Sequence, residues 1–520
     1  MSGRASSLRM IDPKTRTRTT VHTGMKYTLL VLAAALSIPL GGLGAAEKPK
    51  LNVLFFVSDD LRTELGCYGN DIIKSPNIDR LAGRGLVFNR AYCQQAVCSP
   101  SRSSVLTGMR PDTTKVWDLN THFRRALPDV VTLPQLFKNN GYTSQGMGKI
   151  YHGGFGDPAS WSAPDVASQP PAEDAPKKPN GGKKKSAPAK AADTSASDPA
   201  NAVTKTDRGP AFLATDDEPN GGEEGALANE AIAALRKFKA DSKPFFLAVG
   251  FHKPHLPFNS PKAYWDLYDP AKIPLAPNIF LPKDAPAYAM ANKNELWSYS
   301  GVLDASHLPE GYARQLKHGY YAAVSYMDAQ LGRVVDELDK LGLRENTVII
   351  LWGDHGWKLG EHDRWSKHSN VENDVHAPLI ISVPGMKAVG KRTDALVEFV
   401  DMYATLAELA GLPVAANVEG KSFKPLLDDP ALRWKSAAFS QYPRTSGGKK
   451  LMGYSMRTDR YRFTQWVDRD DHSKVDAVEL YDHRTDPQEN TNIANDPATK
   501  AVVEKLTAQW AAGWKADAAK

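Results

Sequence analysis

The chain has 520 residues, 42% of them hydrophobic, which is enough to bury one large α/β core with a smaller domain beside it. Its formal charge is +6, but Arg4, Arg9, Lys14, Arg16, Arg18 and Lys26 against Asp12 put +5 of this in residues 1–46. The remainder is close to neutral, which argues against a basic nucleic-acid-binding face, and no nucleic-acid partner is expected.

Residues 1–46 read as an export segment. Lys26 precedes an apolar run from Tyr27 to Leu40, and small residues follow through Ala46, so cleavage is expected near Ala45 or Ala46. The run is short for a bilayer, so no stable membrane span is expected after cleavage and the location expected is secreted or periplasmic. Met25 is a second candidate start.

The first apolar, β-rich run, Leu51 to Val57, stops at Ser58-Asp59-Asp60. Further on, Tyr142 to Met147 runs into Gly148-Lys149-Ile150-Tyr151-His152, and Phe245 to Val249 runs into Gly250-Phe251-His252-Lys253-Pro254-His255. Thr347 to Trp352 stops at Gly353-Asp354-His355-Gly356. Such runs read as buried parallel strands. In open α/β sheets a site lies beyond the carboxyl ends of the strands, where groups distant in sequence converge. Singly, a strand-end Asp caps the next helix and a lone His is a satisfied polar residue; four such ends together make the bland reading improbable.

Between the first two runs lies Cys98-Ser99-Pro100-Ser101-Arg102. Ser99 suits a helix cap and Pro100 a first turn, so a helix is expected through Ser101 to Thr107, its partly positive N-terminus facing position 98. An anion would sit well there. The alternative is a buried structural thiol. Whether Cys67 and Cys93 pair is not readable from their positions.

From Ala163 to Gly209 the chain turns rich in Pro, Ala, Lys, Ser and Asp, with Lys177-Lys178 and Lys183-Lys184-Lys185. This is a low-complexity insertion, read as a solvated surface loop in preference to a polyanion-docking element. A helix is expected from Tyr320 to Leu341, where apolar residues recur at helical spacing and Gly342 ends the run, with Asp328 in a structural role. After about Pro413 the alternation weakens. Tyr454 to Trp466 reads as an antiparallel strand and Ala501 to Trp514 as a helix against it, giving a domain over 47–412 and a C-terminal subdomain over 413–520.

Taken together, these motifs resemble the type I (formylglycine-dependent) sulfatases, and within them the iduronate 2-sulfatase type. The resemblance runs from Leu51 to about Asp496 and includes Asp59-Asp60-Leu61-Arg62, Leu65-Gly66-Cys67-Tyr68-Gly69 and Gln94-Gln95-Ala96-Val97 leading into Cys98. It continues through His252-Lys253-Pro254-His255, Gly353-Asp354-His355-Gly356-Trp357 and Ser440-Gln441-Tyr442-Pro443-Arg444. It implies an alkaline-phosphatase-like α/β fold, a mixed, mostly parallel sheet flanked by helices, with a smaller C-terminal α+β subdomain.

The resemblance also implies the chemistry. A maturation enzyme oxidises Cys98 to formylglycine, and Asp59, Asp60, Asp354 and His355 hold one divalent cation with modified Cys98 completing the shell. Calcium is expected; hard oxygen ligands suit it or magnesium. His355 replaces the Asn of many sulfatases, and its imidazole suits softer metals, but the iduronate 2-sulfatase type carries His there too. Arg102 holds the formylglycine, Lys149 and Lys367 bind sulfate or nearby anions, His252 is the acid for the departing alkoxide and His152 the base. The spacing from Lys149 to His152 is one residue longer than in many sulfatases. The reaction implied is release of sulfate from a sulfated sugar, the 2-O-sulfate of iduronate or another uronate in a glycosaminoglycan or algal polysaccharide, and Arg457 and Arg460 are candidates to meet the acidic sugar. The alternatives are a phosphoric or phosphonic ester hydrolase on the same frame, which Cys98 with Arg102 opposes, and a non-catalytic carbohydrate-binding protein, which the complete set of ligands opposes.

Overall fold

In the computed structural model, residues 50–162, 208–290, 295–305 and 307–518 are described. The expected export segment 1–46 and nearly all of the 163–209 insertion lie outside them. The first apolar run forms strand β1 (Asn52–Ser58), buried along its whole length. It lies at the centre of a seven-stranded sheet with β2 (Leu86–Phe88), β3 (Thr143–Gly148), β4 (Phe245–Phe251), β5 (Thr347–Gly353), β6 (Leu379–Ser382) and β7 (Lys391–Thr393), in the order β7-β2-β6-β5-β1-β4-β3.

β1 pairs in parallel with β4 and β5, and β3 in parallel with β4. Only β6 runs against its neighbours β5 and β2, so the sheet is mixed and mostly parallel. Both faces are covered, as continuous apolar strands require. Val53, Phe55 and Val57 point into one core with helix α2 (Cys98–Thr107), while Leu54 and Phe56 point into the other with α3 (Gly222–Asp241) and α4 (Glu310–Lys340); a short α1 (Pro76–Gly83) packs beside α4.

The register positions the site. Ser58 at the end of β1 pairs with Gly353 of β5 and Phe251 of β4, so Asp59, Asp354 and His252 leave three adjacent strands at one level. Gly148 of β3 pairs with Gly250, which brings Lys149 to the same edge. A Cβ at Gly148, whose φ is +68°, would stand 2.2 Å from the Gly250 carbonyl oxygen, so only glycine allows the two strands to close there.

Helix α4 starts ten residues before the expected Tyr320: its first turns continue the apolar stripe, with Leu316 buried in the same core and Tyr312 and Ala313 packed against it. It ends as expected, with Leu341 as C-cap and Gly342 at φ +65°. Asp328 is structural: its carboxylate accepts from the backbone N–H groups of Asn77 (3.2 Å) and Ile78 (2.7 Å) and so caps α1.

The C-terminal sheet is antiparallel, with β8 (Ala437–Ser446), β9 (Lys449–Thr458), β10 (Tyr461–Asp468) and β11 (Val475–Asp482) in chain order. Helix α5 (Lys500–Ala518) covers it through Leu506, which joins Ala437, Met456, Phe463 and Leu480 in a small core. The single strand expected over Tyr454–Trp466 is two, since the alternation carries straight across a reversal at Asp459-Arg460. Arg457 is buried and pairs with Glu372 at 3.3 Å, and Arg460 chelates Asp482 (2.9 and 2.6 Å), so both already have carboxylate partners within the chain. Cys67, Cys93 and Cys98 are free thiols. Among the described residues no helix is long and apolar enough to cross a membrane.

Candidate active site

Cys98 is the first residue of α2, not the residue before a Ser99 cap. The extended Val97 is the N-cap and its carbonyl accepts from Ser101 N at 3.2 Å, which places Ser99 and Pro100 inside the first turn. Position 98 therefore sits in the turn whose free N–H groups and dipole favour an anion. It is 2% exposed.

Four residues from three separate stretches meet here. Ligand atoms of Asp59, Cys98, Asp354 and His355 all lie within 4.8 Å of one another, and all four residues are buried. Cys98 Sγ is 3.3 Å from Asp59 Oδ1 and 3.4 Å from His355 Nε2. Asp60, assigned to the same set, stands one step aside: its Oδ1 is 3.4 Å from His355 Nδ1, and its backbone N–H donates to Asp354 Oδ1 at 3.1 Å. Its Oδ2 is buried and has no hydrogen-bond partner among the described residues. Three carboxylates and an imidazole, with one carboxylate oxygen left unsatisfied, fit a single hard divalent cation.

Three cations interlock with these acids. Arg102 Nε donates to Asp354 Oδ2 at 2.9 Å, its Nη2 lies 3.5 Å from Asp59 Oδ1, and its Nη1 donates to the Lys149 carbonyl. Lys149 Nζ donates to Asp59 Oδ2 and lies 3.8 Å from Cys98 Sγ. Lys367 Nζ donates to Asp60 Oδ1 at 2.8 Å. Burial alone would raise the Asp59 carboxyl, but Lys149, His255 and Arg102 outweigh it and hold the group well below the usual carboxylate range. For Asp60 burial prevails over Lys367, and its pKa is raised. Burial, reinforced by Asp59, pushes the Cys98 thiol well above its ordinary value; as encoded it is a poor nucleophile at neutral pH.

The two candidate acid–base histidines are half-buried, less so than the cluster itself. Burial, followed by the charges of Lys149 and Arg102, lowers the pKa of His152 to about 4, and its Nδ1 has no hydrogen-bond partner among the described residues. His252, with its side chain 39% exposed, has Nδ1 3.2 Å from Glu223 Oε1. Its pKa is lowered by burial against the pull of Glu223. Its backbone N–H and that of Lys253 donate to Glu224 Oε1 (2.9 and 2.8 Å), which fixes the turn after β4.

Some of the constellation carries no motif. Glu295 Oε1 lies 3.2 Å from Lys367 Nζ and 3.0 Å from His255 Nε2, and its Oε2 is 3.5 Å from His368 Nε2; His368 Nδ1 meets the Tyr442 hydroxyl at 2.6 Å. His255 belongs to the His252–His255 motif, but Glu295 lies in an irregular stretch with no periodicity to mark it. No signal in the sequence marks it: Lys367 already has a carboxylate partner in Asp60, and Glu295 is picked out only once the fold gathers Lys367, His255 and His368 around it.

Comparison with known proteins gives these residues a context. Residues 51–412 match the Sulfatase family, and residues 360–514 match the N-sulphoglucosamine sulphohydrolase C-terminal family. The chain is 35% identical over 551 residues to the iduronate 2-sulfatase of Mus musculus, covering 93% of this chain and 98% of that protein. It is 32% identical over 490 residues to a sulfatase of Formosa agariphila, covering 89% and 88%. The phosphonate monoester hydrolase of Agrobacterium radiobacter superposes with a TM-score of 0.68 over 90% of this chain and 96% of that one; at 21% identity this speaks for the alkaline-phosphatase-like fold alone. With the family match spanning every strand that feeds the acid–cation cluster, the chain belongs to the sulfatase family and is a sulfatase.

Proposed function

We propose that this sulfatase releases the 2-O-sulfate of an iduronate or related uronate residue in a glycosaminoglycan or algal polysaccharide, using a formylglycine made from Cys98. The observation that carries the substrate class is the 35% identity to an iduronate 2-sulfatase across 98% of that protein. Asp59, Asp60, Asp354 and His355 would hold one divalent cation, for which calcium is the choice that three carboxylates favour. When present, the cation neutralises sulfate oxygens and formylglycine supplies a hydrated aldehyde as nucleophile, which no encoded side chain offers.

The remaining work falls to the chain's own residues. Arg102, tied to Asp354 and to the Lys149 carbonyl, fixes the side chain at position 98. Lys149 and Lys367 present cationic donors to the sulfate oxygens, and such preorganised charge in a dry site usually does more for the rate than any other single effect. His252 donates a proton to the leaving sugar oxygen; an incoming anion raises its proton affinity at the moment it must act. His152, neutral because its pKa is about 4, accepts a proton and turns the site over. Residues 413–520 serve as the subdomain bordering the cleft, a role the 2.6 Å contact of Tyr442 with His368 supports. The apolar run from Tyr27 to Leu40 supports a secreted or periplasmic enzyme matured by a formylglycine-generating partner.

The test has two stages. The tryptic peptide Ala91–Arg102 from the native host is weighed, and the formylglycine mass is the expected result; an unmodified thiol refutes the nucleophile. Protein that passes is assayed on 2-sulfated and 6-sulfated unsaturated disaccharides, and preference for the 6-isomer refutes the 2-O assignment.

A further inference from the structure

A cavity of about 230 Å3 lies between β8, β9 and the end of α5, and none of Asp59, Asp60, Cys98, Asp354 or His355 lines it. That volume is below the roughly 300–1,000 Å3 of sites for drug-sized ligands, so it suits a single ring. Its walls are aromatic on one side. The rings of Tyr454 and Trp510 have centroids 6.1 Å apart, and the Arg110 guanidinium lies 4.7 Å over the Trp514 ring.

The opposite side is polar and held in place. Asp112 accepts from Gln441 Nε2 (2.8 Å), Trp117 Nε1 (3.0 Å) and the Tyr454 hydroxyl (2.6 Å), which also locks the tyrosine ring. Two donors in the lining remain unused. Gln94 is 1% exposed; Val400 N fixes its Oε1 at 3.0 Å, yet its Nε2 has no hydrogen-bond partner among the described residues. Arg110 is 6% exposed; its two terminal nitrogens are bidentate on Glu398 (2.7 and 2.8 Å), yet its Nε has no such partner either. A buried donor left unmade is costly, so two such donors on residues that line one aromatic cavity leave capacity there for acceptor oxygens.

The charge decides the ligand class. Asp112 and Glu419 line the cavity, while the Arg110 charge is committed to Glu398, so an anion is disfavoured. Hydroxyl oxygens on a ring with apolar faces satisfy both walls, and aromatic side chains suit such faces.

We propose that this cavity is a second carbohydrate site that takes one uncharged hexose or N-acetylhexosamine ring, separate from the sulfated sugar that is cut and independent of which sulfate is removed. The wall strand β8 offers Gln441 to the cavity and, on its other face, the next residue, Tyr442, to His368, so a ring held here lies across one strand from the cleft.

The test is to soak crystals of the full chain with cellobiose and with chitobiose, and to titrate both in solution. Density for a sugar ring against Tyr454 and Trp510 is the expected result, with Trp510→Ala weakening binding at least tenfold and Trp510→Phe largely restoring it. Hydrolysis of 4-nitrophenyl sulfate should be unchanged in both variants. Ordered water alone in the cavity, disaccharide density only at Cys98, or tighter binding there of a sulfated than of a neutral disaccharide would each overturn the proposal. Should Trp510→Ala fail to fold, the position of the sugar in the unaltered protein decides.

Discussion

Lys367 Nζ lies 2.8 Å from Asp60 Oδ1 with both side chains buried, while the neighbouring Asp59 takes a different lysine, Lys149, from another strand end. Two adjacent carboxylates are thus each neutralised by a lysine of their own, and the acids can be packed together before any cation arrives. Breaking a buried pair leaves an uncompensated charge and costs about 3–5 kcal/mol. Lys367→Met should lose stability of that order in chelator, measured by urea denaturation. Added calcium should restore more stability to the variant than it adds to the parent, because the ion then supplies the missing charge; equal gains would refute the shared role.

The pH profile of kcat/KM should lie on the acid side. His152 as base has a pKa of about 4 and stays competent well below the ordinary imidazole range, whereas His252 as acid, also held below 6.5, gains protons only as pH falls. Activity should therefore rise as pH drops from 8 towards 6 and fail only nearer 4. A loss centred at 6.5 would contradict the assignment. His152→Ala should lower kcat by about 10²–10⁴-fold at every pH and remove the acid limb. The linked stability has a fixed sign: a depressed imidazole pKa contributes stability that is present above 6.5 and lost as pH falls towards 4.

Glu295 orients three cationic or titrating side chains without lining the cluster around Cys98. Glu295→Gln keeps its shape but removes its charge. It should raise KM more than it lowers kcat, since Lys367 and His255 lose their anchor while the nucleophile keeps its own. An effect confined to kcat would place Glu295 in the chemistry itself.

Asp328→Ala should destabilise the fold by about 2–4 kcal/mol, because two backbone N–H groups at the start of α1, that of Ile78 buried and that of Asn77 partly so, lose their acceptor, and kcat should not change. Burial raises the Asp328 pKa from 3.8 to about 6 against those hydrogen bonds. Its share of stability is accordingly fully present below 3.8 and lost as pH climbs through 6, and the variant should show a flatter stability curve in that window.

The strand ends were readable because a doubly buried strand is continuously apolar and its first charged residue falls where the sheet stops; Asp59, Lys149, His252 and Asp354 all announce themselves in this way. The N-terminus of α2 lies two residues before the expected one, because Ser99 satisfies a capping preference that the extended Val97 meets instead through its backbone carbonyl. Arg457 was unreadable for another reason. Its alternating strand suggests a solvated position, but Glu372, distant in sequence, converts it into one of a buried pair. Glu295 and His368 could not be found by periodicity, since each owes its place to a partner and not to an element.

Cys98 is 2% exposed beneath the strand ends, and burial keeps its thiol protonated. On the proposed chemistry, an enzyme that must oxidise this side chain competes with folding for access to it. A chain that closes first is not a slow enzyme awaiting repair but a finished protein without a nucleophile. The specific activity of any preparation then records the outcome of a race run once per molecule during synthesis, and a host folding this chain faster would yield more protein and less enzyme.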